Sequence, residues 1–129
     1  MQSKIIESIS KQRYDRVRKE VDPIMKQLET VEQFNKLKNN EQVIFIFSAG
    51  WCPDCRVIEP ILPEIIEGHP EYQFIEVNRD EFIEICQEHD IFGIPSFLAY
   101  ADGKEVGRFV SKDRKTKEEI EQFIGGLSA

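Results

Sequence analysis

The stretch Val43-Ile44-Phe45-Ile46-Phe47-Ser48-Ala49-Gly50-Trp51-Cys52-Pro53-Asp54-Cys55 decides the architecture of this chain. Its first five residues are all β-branched or aromatic, without alternation, which is how a strand covered on both faces by helices reads. The run breaks at Ser48-Ala49-Gly50, and after Trp51 the apolar positions Val57, Ile58, Ile61, Leu62, Ile65 and Ile66 recur at helical spacing. Cys52 and Cys55 therefore stand at a strand-to-helix turn. Pro60 and Pro63 fall inside the predicted helix, where each removes a backbone donor, so its axis is expected to bend near residues 56–60. Gly68 and Pro70 end it.

Downstream, Gln73-Phe74-Ile75-Glu76-Val77 reads as a second strand, parallel to the first through a right-handed crossover. Asp80 to His89 reads as a helix with Phe82, Ile83, Ile85 and Cys86 as its apolar contribution. Ile94-Pro95 opens a third strand, Ser96 to Tyr100, joined to a fourth, Glu105 to Val110, through Asp102-Gly103, a two-residue hairpin signal. Thr116 and Glu119 have capping-box spacing and begin a last helix that buries Ile120, Phe123, Ile124 and Leu127. Upstream, Thr30 is a natural N-cap for a short helix through Val31, Phe34 and Leu37, ended by Asn39-Asn40.

Residues 1–24 stand apart. Their apolar side chains cover about half a helical wheel, interrupted by Arg13, and Asp22-Pro23 closes the segment. They hold six basic and four acidic residues, a net +2, which leaves −9 over residues 25–129 of a chain whose total is −7. The expectation is an N-terminal helical extension over 1–24, native or artefactual, and one domain over 25–129.

A length of 129 residues suits a single domain with one core. The acidic balance argues against nucleic acid as a partner. No stretch approaches the roughly 20 apolar residues of a membrane span, and the N-terminus lacks the apolar centre of a secretory signal, so the cytoplasm is the expected location. Three cysteines are too few for a structural disulfide framework, and a close pair in a reducing compartment points to redox or metal chemistry.

Two cysteines at i and i+3 on the first turn of a helix can meet in a disulfide. The first lies where unpaired N–H groups and the positive end of the helix dipole favour a thiolate. Cys52 is therefore the expected nucleophile, and the more buried Cys55 would resolve the mixed disulfide. A zinc site needs four ligands, and Cys86, His69 and His89 supply no second pair at ligand spacing, so no metal is expected. Cys86 reads as a small hydrophobe, the histidines as loop residues at helix ends, Lys112 to Lys117 as a solvated loop, and the Phe residues as core. With no Gly-rich phosphate loop, no bound cofactor is expected.

The segment Phe47 to Cys55, Pro60 after it, Gly93-Ile94-Pro95-Ser96 and Gly103 together resemble the thioredoxin family in order and spacing, over roughly residues 26–127. The resemblance implies an α/β thioredoxin fold, with a central mixed sheet flanked by helices on both faces. It implies a Cys52/Cys55 dithiol that reduces disulfide-containing proteins, recharged by a separate reductase that uses a reduced nicotinamide cofactor. It also implies a cis peptide at Ile94-Pro95 beside the dithiol, an Ile94 backbone that pairs with extended substrate, and a groove shared with Trp51, Pro53, Asp54 and Gly93. Thioredoxins generally carry Gly-Pro between the cysteines. Here Pro53-Asp54 puts a carboxylate there, similar to thioredoxin-related proteins of the cytosol, and a negative charge disfavours a nearby thiolate. Ile46 stands where the family has a buried Asp beneath the second cysteine, and Glu76 stands where a lysine is common. Glu76 either takes the proton from Cys55 or is merely solvated at a strand edge. The competing function is an interaction module that docks a partner through residues 1–24, with redox activity incidental.

Overall fold

The computed structural model describes residues 25–127, so the helix expected over 1–24 lies outside the described residues. In chain order the elements are β1 Lys26–Gln27, α1 Val31–Asn40, β2 Val43–Ser48, α2 Pro53–Ile58, a 3-10 turn Glu59–Ile61, α3 Leu62–Glu67, β3 Gln73–Asn78, α4 Ile83–Glu88, β4 Ser96–Ala101, β5 Lys104–Phe109 and α5 Lys117–Gly125. The strands form one sheet in the order β1-β3-β2-β4-β5.

The unbroken apolar run lies in the middle of that sheet. β2 pairs in parallel with β3, Phe45 opposite Ile75 and Ile46 opposite Glu76, and antiparallel with β4, Phe45 opposite Leu98. No residue from Val43 to Phe47 is more than 1% exposed. Because strand side chains alternate, Val43, Phe45 and Phe47 pack with Phe34 of α1 and Ile85 and Cys86 of α4 on one face. Ile44 and Ile46 pack with Ile58, Leu62, Ile65, Ile120 and Ile124 on the other. The sheet is mixed and covered on both faces, as expected.

Two prolines segment the crossover helix. Pro60 sits in the first turn of the 3-10 stretch and Pro63 in the first turn of α3, positions where a missing N–H leaves no hydrogen bond unmade. The expected bend is thus a helix divided into three pieces. Asp102 and Gly103 turn the β4–β5 hairpin with φ of 54° and 80°, the left-handed pair that such a hairpin requires.

Several boundaries differ from the sequence reading, and one strand was not expected. The helix expected from Asp80 begins at Ile83, because the Asn78 side chain accepts from the backbone N–H of Asp80 and Glu81 and holds them in a turn. The last strand runs one residue earlier, from Lys104 to Phe109. The two-residue β1 was not expected. It pairs Lys26 with Ile75 and Gln27 with Glu76, so β3 is an inner strand and Glu76 does not lie at a sheet edge.

Thr116 and Glu119 form a complete capping box, side chain to backbone in both directions. Thr116→Ala should lower stability by about 1 kcal/mol with an unchanged denaturant slope, measured by urea unfolding.

Candidate active site

β2 delivers the chain to Ala49 at its C-terminal end, and a tight turn follows in which the Cys52 N–H donates to the Ala49 carbonyl at 3.2 Å. Pro53 begins α2, which makes Cys52 the N-cap. Its sulfur accepts from the Cys55 backbone N–H at 3.1 Å, the bond a serine or aspartate oxygen usually supplies at a helix start. The Cys52 thiol also lies 3.9 Å from the Ile94 carbonyl oxygen. Ile94-Pro95 is a cis peptide, at the start of β4 beside the dithiol.

Both sulfurs are buried, Cys52 at 4% and Cys55 at 2% exposed; for Cys55, burial, then the hydrogen bond with the Cys52 side chain, push its pKa from 9.0 up to about 12. Its charged form is penalised by burial, while the Cys52 sulfur accepts the Cys55 N–H. All three cysteines are free thiols, and Cys86 packs away from the pair, on the α1/α4 face.

A groove of about 310 Å³ opens over Cys52, lined by Trp51, Pro53, Asp54, Arg79, Phe92, Gly93, Ile94 and Lys112. It gathers every residue expected to contact substrate except Pro95, which is buried. Trp51 and Phe92 are 61% and 63% exposed, so Phe92 departs from the expectation that the phenylalanines are core. Trp51 is held by its indole N–H donating to Asp80 at 2.7 Å and by the Arg79 guanidinium 5.9 Å from its ring centre.

The sequence reading missed the partner of Asp54. Arg114 donates to its carboxylate at 3.0 Å, so the charge placed between the sulfurs is offset by a cation from the loop before α5. The reading of Lys112 to Lys117 as a solvated loop is thereby corrected. Lys112 lines the groove, Arg114 grips the active-site turn, and Lys115 is 2% exposed. The Lys115 ammonium donates to the carbonyls of Ser111 and Asp113 and lies 5.1 Å from the Phe109 ring centre. Burial depresses its pKa below the usual lysine range. The signal for this loop was faint: four cations among six residues of an acidic chain, with nothing in the sequence to say which way they face.

Glu76 accepts from the Ser48 hydroxyl at 2.6 Å and from the Gln27 amide. It shares a polar cavity of about 240 Å³ with Ser48, Ala49 and Glu59. Glu59, one turn beyond Cys55, is near enough to disfavour the Cys55 thiolate. Sequence spacing i, i+4 could have flagged it.

The protein-family model described as Thioredoxin matches residues 25–125. A thioredoxin H-type of Picea mariana is 36% identical over 83 residues, covering 64% of each chain. Thioredoxin H-type 1 of Nicotiana tabacum is 37% identical over 94 residues, covering 72% of each. The chain thus spans about two thirds of the length of these curated relatives. A Plasmodium falciparum thioredoxin structure superposes with a TM-score of 0.71 at 25% identity, over 81% of this chain and 100% of that one.

In the reduced protein, iodoacetamide at pH 7–8 should label Cys52 alone, read by mass spectrometry, and Cys52→Ser should abolish the labelling. The raised Cys55 pKa also carries a stability consequence. Between pH 9 and 12 the unfolded chain ionises Cys55 while the folded one does not, so stability falls as pH rises through that window. The disulfide form has no Cys55 proton to lose. The stability gap between oxidised and reduced protein, from denaturant melts, should widen from pH 9 upward.

Proposed function

The chain belongs to the thioredoxin family and is built as a thiol–disulfide oxidoreductase, and from that premise we propose that it works as a reductase of protein disulfides. The observation that carries the reading is the asymmetry of the two nearly buried sulfurs: Cys52 caps α2 and lines the open groove, and Cys55 does not. The Cys52 thiolate attacks one sulfur of a substrate disulfide. A Cys52–substrate S–S bond forms, and the other substrate sulfur leaves as a thiolate that takes a proton from solvent. Cys55 then loses its proton and attacks the Cys52 sulfur, closing the Cys52–Cys55 disulfide and releasing the second substrate thiolate. Two electrons pass to the substrate. A separate thioredoxin-reductase-type donor returns them.

Substrate backbone is proposed to lie along Ile94 in the groove, with Trp51, Pro53, Asp54 and Gly93 as its walls and Pro95 shaping the loop. Glu76 is the proposed acceptor of the Cys55 proton. The support is the cavity it shares with Ala49, whose backbone favours the Cys55 thiolate, and with Glu59, because a polar cavity of that size has room for water to carry the proton. A dithiol that must stay reduced between turnovers suits the cytoplasm. Among the described residues no helix is long and apolar enough to cross a membrane.

Insulin reduction by dithiothreitol should accelerate on adding the protein, equally with and without residues 1–24. Activity lost with that segment, or absent in both, would favour the docking module instead. Glu76→Gln should slow resolution of a preformed Cys52 mixed disulfide by roughly tenfold or more near pH 7, followed by stopped-flow. Resolution rates equal to wild type across pH 6–9 would remove Glu76 from the proton path and leave Glu59 as the residue to test.

A further inference from the structure

The geometry points to Lys112 as a specificity residue that selects disulfides flanked by acidic side chains, an inference that rests on the reductase reading. The domain is strongly acidic, −9 over residues 25–129, yet its dithiol groove contains Arg79 and Lys112 and is bordered by Arg114. Two of these cations are already engaged. Arg79 pairs with Asp80 at 3.2 Å, and Arg114 with Asp54 at 3.0 Å. The two carboxylates that border Cys52 and Trp51 are thus answered within the protein.

The rest of the basic run is engaged as well. Lys115 is enclosed by loop carbonyls, and Lys117 donates to Glu64 at 2.7 Å. Lys112 is the exposed cation of the run with neither an ion pair nor a hydrogen bond among the described residues, and it lines the groove. Its place there is built rather than incidental. A Cβ on Gly93 would lie 2.4 Å from the Ser111 carbonyl oxygen, so the loop that presents Lys112 packs directly on the Gly93-Ile94-Pro95 segment. The Arg114–Asp54 pair anchors the same loop from the opposite side, on the active-site turn. A substrate strand laid along Ile94 shares the groove with the unpaired ammonium, and an Asp or Glu beside the substrate cysteine is the partner it lacks.

The inference opposes what the whole domain would do. An acidic body steers basic partners toward itself over distances longer than the screening length, whereas a contact inside the groove acts at a few ångströms. At about 0.15 M salt, where the screening length is near 8 Å, the local contact is expected to win.

The test uses the reduced full chain, whose one tryptophan is Trp51, so that oxidation is followed by its fluorescence. The oxidants are three short peptide disulfides of one sequence, their cysteines flanked by Glu, Gln or Lys. The Glu peptide should react roughly three- to tenfold faster than the Gln peptide, the scale of one added charge pair at partial screening. The Lys peptide should react more slowly than either. Lys112→Glu should invert the Glu/Lys ratio and Lys112→Arg should preserve it. Comparing ratios keeps the result independent of any general loss of reactivity. A faster Lys peptide with wild-type protein, or a ratio insensitive to Lys112→Glu, would overturn the selectivity while leaving the reductase reading intact. No reaction with any peptide would overturn both.

Discussion

Five consecutive side chains of β2 are withheld from water on both faces of the sheet, and most of the domain is arranged to make that possible. A strand with one wet face would alternate polar and apolar residues. Val43 to Phe47 do not, so helices are required above and below, and the chain must cross over the sheet to supply them. The crossover leaves from the C-terminal end of β2, the end where an open α/β sheet places its chemistry. The dithiol is thus a by-product of a packing demand: the first turn of the covering helix has backbone N–H groups to spare, and Cys52 meets one of them.

The same logic explains what could be read from sequence. β2, the hairpin at Asp102-Gly103, the caps at Thr30 and Thr116 and the proline-divided helix are set by local residue types, and each was legible. β1 was not, because two residues between a turn and a helix carry no periodicity, and only the neighbouring β3 makes them a strand. Among site residues, those in short motifs were legible: Trp51 to Cys55 and Gly93 to Pro95. Arg114, Asp80, Phe92 and Lys112 were not. They reach the dithiol from loops far along the chain, and a side chain's direction in a loop depends on packing that no local pattern encodes.

Charge placement around the dithiol follows one pattern. On the groove side Asp54 and Asp80 each receive an arginine, while Glu76 is bound by the neutral donors Ser48 and Gln27 in a cavity it shares with Glu59 and Arg56. Lys115 stabilises the loop that carries Arg114, since an enclosed ammonium bonded to two loop carbonyls draws that loop closed around itself.

The sheet has two margins, and they are unlike its middle. β1 is only two residues long, and β5 carries Lys104, Glu105 and Arg108, with Arg108 and Glu105 paired at 2.7 Å. Short or charge-studded borders give foreign backbone little to zip onto. The proposed reductase of protein disulfides would be offered such backbone by its substrates. In the proposed binding mode the main-chain foothold for such guests is the Ile94 loop beside Cys52, and the borders of the described sheet are closed to them.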